Sequence, residues 1–186
     1  MGNMIRVNRM NKTKRILKTV LLLSVVLVLA VSLVMFRSIE INGSSMVPTL
    51  EQNDRVLANI YPEVERFDVI VFRDRNDQPV VKRVIGLPGE TVRYEDDQLY
   101  VDGEPIEEPF LKDSSLQAVR GSWTSDFSLE EVIDQTTIPS DSYFVLGDNR
   151  RFSLDSRVYG TVPEEAVIGE VIMVLHPFNR MALVHD

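Results

Sequence analysis

Cysteine is absent from the 186-residue chain. Disulfides, thiol nucleophiles and Cys-based zinc sites are thereby excluded together. Histidine is nearly as scarce, with only His176 and His185. A Ser-His-Asp triad would have to use one of them. His176 sits between Leu175 and Pro177 at the end of an apolar run, where a structural or solvent-edge role is expected, and His185 lies in a terminal tail. No HExxH, Walker loop or GxGxxG occurs, so no metal or nucleotide has a visible ligand set and no cofactor is expected. Internal repeats and low-complexity tracts are missing too. Lysine is plentiful at the N-terminus, but beyond residue 36 only Lys82 and Lys112 remain.

Charge is divided unevenly. The net charge is -8, yet residues 1–36 carry six basic residues (Arg6, Arg9, Lys12, Lys14, Arg15, Lys18) and no acid. The remainder is strongly acidic, which argues against nucleic acid as a partner because phosphates would be repelled. Thr19 to Phe36 is free of charge and rich in Leu and Val. With Ile16 and Leu17 it forms a run about long enough to cross a hydrocarbon core of roughly 30 Å, and Lys18 can snorkel to the headgroups. The basic residues all precede the run, which predicts a cytoplasmic N-terminus and an extracytoplasmic body. A cleaved signal peptide is the competing reading. It would have a shorter apolar region followed by a small-x-small site, whereas Met35-Phe36-Arg37 follows here. The expected division is a basic tail over 1–15, a transmembrane signal-anchor helix over 16–36 and a catalytic body over 37–186. That body must hold its shape outside the cell without disulfides, by core packing alone.

The body reads as β-rich. Residues 69–72 form an apolar run too short for a helix, residues 73–79 are polar turn material, and residues 80–85 resume a strand, which predicts a hairpin. Leu87-Pro88-Gly89-Glu90 suits a type II turn. Val92 and Tyr94, then Leu99 and Val101, alternate with period two, and Asp102-Gly103 suits a tight hairpin. Residues 55–60, 143–146 and 167–175 supply further strands. Residues 107–137 are acidic and weakly patterned, with a short helix at 128–133 that Ser128-x-x-Glu131 would cap. The fold class expected is mainly β, a barrel-like or β-sandwich domain with a small inserted lobe over about 88–140, preceded by one transmembrane helix.

Three segments carry candidate chemistry. Residues 43–50 (GSSMVPTL) offer serines just after the apolar run, although Gly, Ser and Pro also make ordinary loops. Lys82 projects between Val80 and Val84 on one strand face, with Arg83 on the other. That setting desolvates an amine and lowers its pKa, as a lysine base requires; an edge-strand lysine that keeps a sheet soluble is equally open from local sequence. Residues 147–157 (GDNRRFSLDSR) pack Asp, Asn, Ser and Arg at a strand end, which is either a solvated loop or a shell that orients a catalytic group.

Together the three segments resemble the nucleophile, lysine and third boxes of bacterial type I signal peptidases, in particular the compact Gram-positive members. The matching runs are Gly43-x-Ser45-Met46-x-Pro48-Thr49-Leu50, Val81-Lys82-Arg83-Val84-Ile85-Gly86-x-Pro88-Gly89 and Gly147-Asp148-Asn149-Arg150-x-x-Ser153-x-Asp155-Ser156-Arg157. The resemblance implies a Ser-Lys dyad: Ser45 as nucleophile and neutral Lys82 as general base. It implies that Ser153 orients the lysine, that Asp155 with Arg157 and Arg83 with Asp148 form supporting ion pairs, and that Gly147 lets the backbone lie close to the lysine. Some members place a serine two residues before the nucleophile to bind the oxyanion; Gly43 stands there instead, leaving backbone N–H groups, foremost that of Ser45. The implied activity is removal of signal peptides from secretory preproteins after small residues (Ala-x-Ala type), near the secretion translocon and in contact with membrane lipid. An extended substrate would be flanked by residues 39–42 and the segment before Lys82, with shallow pockets lined by Ile39, Ile41, Leu50 and Val81. Two rival readings are a self-cleaving LexA-like regulator, which would carry a DNA-binding domain where the apolar run stands, and a non-enzymatic membrane-tethered scaffold, which the complete Ser45 and Lys82 boxes disfavour.

Overall fold

The computed structural model describes residues 2–111 and 122–184; in the N-terminal helix the side chains of residues 2–13, 32 and 33 fall outside that description, as do Lys112 and His185. The chain divides into two units, residues 1–37 and 38–186. The first is almost wholly a helix, α1 (Gly2–Met35). Its side chains from Ile16 to Val31 are exposed all round rather than along one stripe, Leu21 and Leu27 among them. Such a helix lacks the polar face expected in water. Among the described residues, however, no helix is long and apolar enough to cross a membrane; Ser32 and Leu33, which complete the apolar run, are among the side chains left out.

The strands follow the period-two runs closely. In chain order they are β1 (Phe36–Glu40), β2 (Arg55–Asn59), β3 (Val69–Arg73), β4 (Pro79–Gly86), β5 (Val92–Glu95), β6 (Gln98–Val101), β7 (Glu104–Ile106), β8 (Phe127–Ser128), β9 (Ser142–Leu146), β10 (Val162–Pro163), β11 (Val167–His176) and β12 (Ala182–Leu183). Eight make one sheet in the order β1-β2-β11-β3-β4-β9-β10, with β12 also on β11; the other four make a second sheet, β7-β6-β5-β8. The predicted hairpin is β3–β4, antiparallel, with Ile70 opposite Lys82 and Val71 opposite Val81. The Leu87–Glu90 turn closes with Glu90 N–H on the Leu87 carbonyl at 3.2 Å, and Gly89 takes the φ of +84° that a type II turn demands. Asp102 (φ +50°) and Gly103 (φ +85°) make the tight turn from β6 to β7. Helix α2 (Leu129–Ile133) has the reciprocal capping box between Ser128 and Glu131. A one-turn helix, α3 (Ser156–Tyr159), is capped by the Asp155 carboxylate.

Strand β4 separates three apolar clusters. Val81 packs against a cluster containing Ile41, Met46, Leu50, Val69 and Val71. Ile85, on the same strand face, joins Val92, Tyr94, Leu99, Phe127 and Phe144 of the second sheet. On the opposite face Val80 and Val84 pack with Ile70, Phe72, Tyr143, Val145 and Val162. Lys82 and Arg83 are therefore each held in an apolar layer by their immediate strand neighbours.

Candidate active site

Lys82 is 3% exposed. Its Nζ lies 2.7 Å from Ser45 Oγ and donates to the Val81 carbonyl at 3.0 Å. Burial pulls its pKa down from 10.5 to about 8, and the charges of Asp155 and Asp148 limit the fall. The charged amine donates to Ser45 Oγ. Once the amine is neutral, the Ser45 hydroxyl donates to Nζ over the same distance, which is the arrangement general-base activation requires.

The main-chain frame of Ser45 comes from the third segment. Asn149 N–H donates to the Ser45 carbonyl at 3.0 Å, and Asn149 Nδ2 donates to the Ser44 carbonyl at 3.1 Å. The Ser45 N–H itself has no acceptor among the described residues, so it is free to bind an oxyanion. Gly43 adopts φ +97° with open space around a notional Cβ, and contributes no hydroxyl. Gly147 is needed for close approach: a Cβ there would lie 2.2 Å from Ser153 Oγ and 2.5 Å from the Ser45 carbonyl oxygen.

Both expected ion pairs are formed. Arg83 Nε and Nη2 donate to the two oxygens of Asp148 at 2.9 and 2.8 Å, and both residues are buried. Arg157 donates to Asp155 from Nε and Nη2 at 2.8 Å each, while Gly147 N–H donates to Asp155 Oδ2 at 3.1 Å. Ser153 does not meet the expectation of a bond to Lys82. Its Oγ is buried with no hydrogen-bond partner among the described residues, wedged against Gly147, while the Nζ is engaged by Ser45 and Val81. Ile39, Ile41, Leu50 and Val81 do come together, but as core. Leu50 is 0% and Ile41 3% exposed, and Ile39 and Val81 are half-buried against the same cluster. The open cavity at Ser45 and Lys82, about 660 Å³, lies elsewhere, over Phe72, Val80, Tyr159 and Val162.

Sequence reasoning missed the buried network behind the third segment. Arg150 donates to the Gly147 carbonyl at 3.0 Å, to Tyr94 Oη at 2.6 Å, to Thr124 Oγ1 at 3.1 Å and to Glu108 Oε1 at 2.5 Å. Tyr94 Oη in turn donates to Glu108 Oε2 at 2.5 Å. Thr49 donates to Asp148 at 2.5 Å. One signal was available: Tyr94 alternates with Val92 on a buried face, and a buried phenol needs a partner. His176 is exposed at the end of β11, in edge contact with Phe178. No group of three His, Cys, Asp or Glu among the described residues has metal-site geometry.

Residues 13–176 match the family model described as signal peptidase, peptidase S26. The chain is 40% identical over 141 residues to signal peptidase I V of Bacillus subtilis, covering 74% of this chain and 84% of that one. It is 41% identical over 153 residues to signal peptidase I of Bacillus caldolyticus, covering 80% and 84%. Among solved structures, a signal peptidase I from Enterococcus faecalis shares 46% identity with a TM-score of 0.56, covering 59% of this chain and 97% of that one.

Proposed function

The chain belongs to the bacterial type I signal peptidases of peptidase family S26, and from that premise we propose that Ser45 and Lys82 are its nucleophile and general base. Its activity is that of a signal peptidase I, a serine endopeptidase whose substrates are preproteins. The observation that carries the residue assignment is the 2.7 Å contact between Ser45 Oγ and a buried Lys82 Nζ. Ser45 Oγ attacks the scissile carbonyl as its proton passes to Nζ. The oxyanion accepts from the Ser45 N–H. The tetrahedral adduct collapses, and Lys82 gives the proton to the departing amine. Water, deprotonated by Lys82, then attacks the acyl group; as the acyl–Oγ bond breaks, Lys82 returns that proton to Ser45 Oγ, and the released acid ionises in solvent.

Strand addition supplies the substrate's place. Strand β1 is the edge of its sheet, and the β4–β9 ladder begins only at Arg83. Residues 79–82 therefore have backbone groups free of β9 beside the catalytic pair, and an extended peptide can bond to them. Cleavage after small residues belongs to the same reading, with Ile39 and Val81 as the half-buried floor. So do the division at residues 15 and 36, the crossing of the membrane by α1 and an extracytoplasmic body, supported by the all-round apolar face of α1 and the basic residues before it.

Ser45→Ala and Lys82→Ala each abolish cleavage of a purified preprotein by the detergent-solubilised chain, with unchanged circular dichroism, and Ser44→Ala has little effect. An active Ser45→Ala variant beside an inactive Ser44→Ala variant would overturn the assignment.

A further inference from the structure

The cavity of about 660 Å³ at Ser45 and Lys82 is on the opposite face of β4 from Ile39, Ile41 and Val81. Its apolar lining is Phe72, Val80, Val162, Tyr159, Phe152 and Leu154, beside the polar Arg73, Asp74, Arg75 and Asn76. Phe152 and Leu154 flank Ser153 and are 77% and 73% exposed, a costly placement for two large apolar side chains beside a cavity. Tyr159 Oη is buried without a hydrogen-bond partner among the described residues. Its ring is set against Phe72, and its main-chain carbonyl accepts from Arg75 Nη2 at 2.8 Å. Burial, then the charges of Asp155 and Asp74, hold the phenol well above its usual pKa, so it is a neutral O–H donor with nothing to donate to. A volume of this size is that of a ligand site, far more than a small side chain needs.

The chemistry selects the half of the substrate that lies here. Lys82 must return its proton to the nitrogen that leaves, so the chain following the scissile bond departs past Nζ. Lys82 lines this cavity together with Val80, the neighbour on its own strand face. We propose that the cavity is the subsite for the first residues of the mature chain: an extended segment with an apolar side chain seated between Phe72, Phe152 and Leu154, and a backbone carbonyl accepting from Tyr159 Oη. This rests on Ser45 and Lys82 being the catalytic pair, and it assigns specificity to the far side of the cut as well as to the signal peptide.

Two peptides test it on the full solubilised chain. Both share the same residues before the scissile bond. One ends in a small fluorogenic amide, and the other continues for four residues with Leu, or Asp for comparison, near the cut. The readout is the ratio of kcat/KM, long over short. Tyr159→Phe lowers the ratio about fivefold, the effect of one neutral hydrogen bond. It leaves Tm unchanged or raised, because no described residue bonds that hydroxyl. Phe152→Ala with Leu154→Ala also lowers the ratio and abolishes the preference for Leu over Asp near the cut. Ratios untouched by both variants, or equal losses on both peptides, overturn the proposal. A Ser45→Ala chain that still cuts either peptide overturns its premise instead, a result distinct from the other two.

Discussion

A lysine amine in water is protonated below about pH 10.4, whereas Lys82 is held at about 8 by burial. Two measurable consequences follow from that one shift. Activity depends on the neutral amine, so log kcat/KM rises with unit slope as pH climbs toward 8 and levels above it; a rate flat from pH 6 to 9 would exclude lysine as the base. Stability carries the same signature. The folded chain loses this proton near 8 and the unfolded chain near 10.5, so between those values the unfolded state binds more protons and folding stability rises with pH. Below pH 8 the buried charge costs about 3 kcal/mol relative to an exposed lysine. Lys82→Met therefore raises Tm at pH 6.5, and the gain shrinks by pH 10. Asp148 and Asp155 tolerate the change because each keeps an arginine of its own. Ser153 belongs to the same scale: its buried, unbonded hydroxyl is a standing cost. Ser153→Ala accordingly raises Tm, and its effect on kcat reads whether the hydroxyl turns to Lys82 during turnover.

The strand–loop element that follows β9 shapes the site through its backbone. Residues 147–157 bind Ser45 through Asn149 and are themselves pinned from behind by Arg150, which is 2% exposed and paired with the 7% exposed Glu108 side chain. Tyr94 and Glu108 belong to the second-sheet region, so this network ties the inserted lobe to the loop that frames the nucleophile. Arg150→Ala leaves the Glu108 carboxylate without its cation and with only the Tyr94 hydroxyl for company, which costs about 3–5 kcal/mol, read as a lower midpoint in urea unfolding. Asp155→Ala acts similarly through Arg157 and the Gly147 N–H. The legibility of the sequence divides along the same line. Period-two alternation placed Lys82 and Arg83 on opposite faces of β4, and Ser128-x-x-Glu131 announced its own helix, because both signals are local. The Arg150 network was hidden because its side-chain partners Tyr94, Glu108 and Thr124 lie 26 to 56 residues away. Ile41 and Leu50 were placed correctly beside Val81 but given a pocket, because apolar pattern specifies burial and not which side of a cluster opens to solvent.

At the scale of the whole chain, the question is what α1 does for a body that holds every catalytic group described. The basic residues and the apolar run place it in the cytoplasmic membrane on the reading proposed above. Ser45 follows Phe36 by nine residues, and an extended chain covers at most about 3.3–3.6 Å per residue, so the nucleophile stays within roughly 30 Å of the end of the span. A signal peptide awaiting cleavage is itself held by its apolar segment in the same bilayer. Tethering both partners to one surface raises their effective concentration without adding a contact, so α1 changes encounter and leaves the chemistry at Ser45 alone. Removal of residues 1–36 should then yield a body that folds on its three clusters and cleaves a short soluble peptide with nearly the kcat/KM of the full chain. The same body should process a preprotein in proteoliposomes about a hundredfold more slowly than the full chain, the low end of a tethering effect. Equal rates on the liposome substrate would show that the helix contributes nothing to encounter. Equal losses on both substrates would show that it supports the site itself. Protease added to intact spheroplasts checks the orientation, digesting residues 37–186 and sparing the basic tail; the reverse pattern would place Ser45 on the wrong side of the membrane for a substrate leaving the cell.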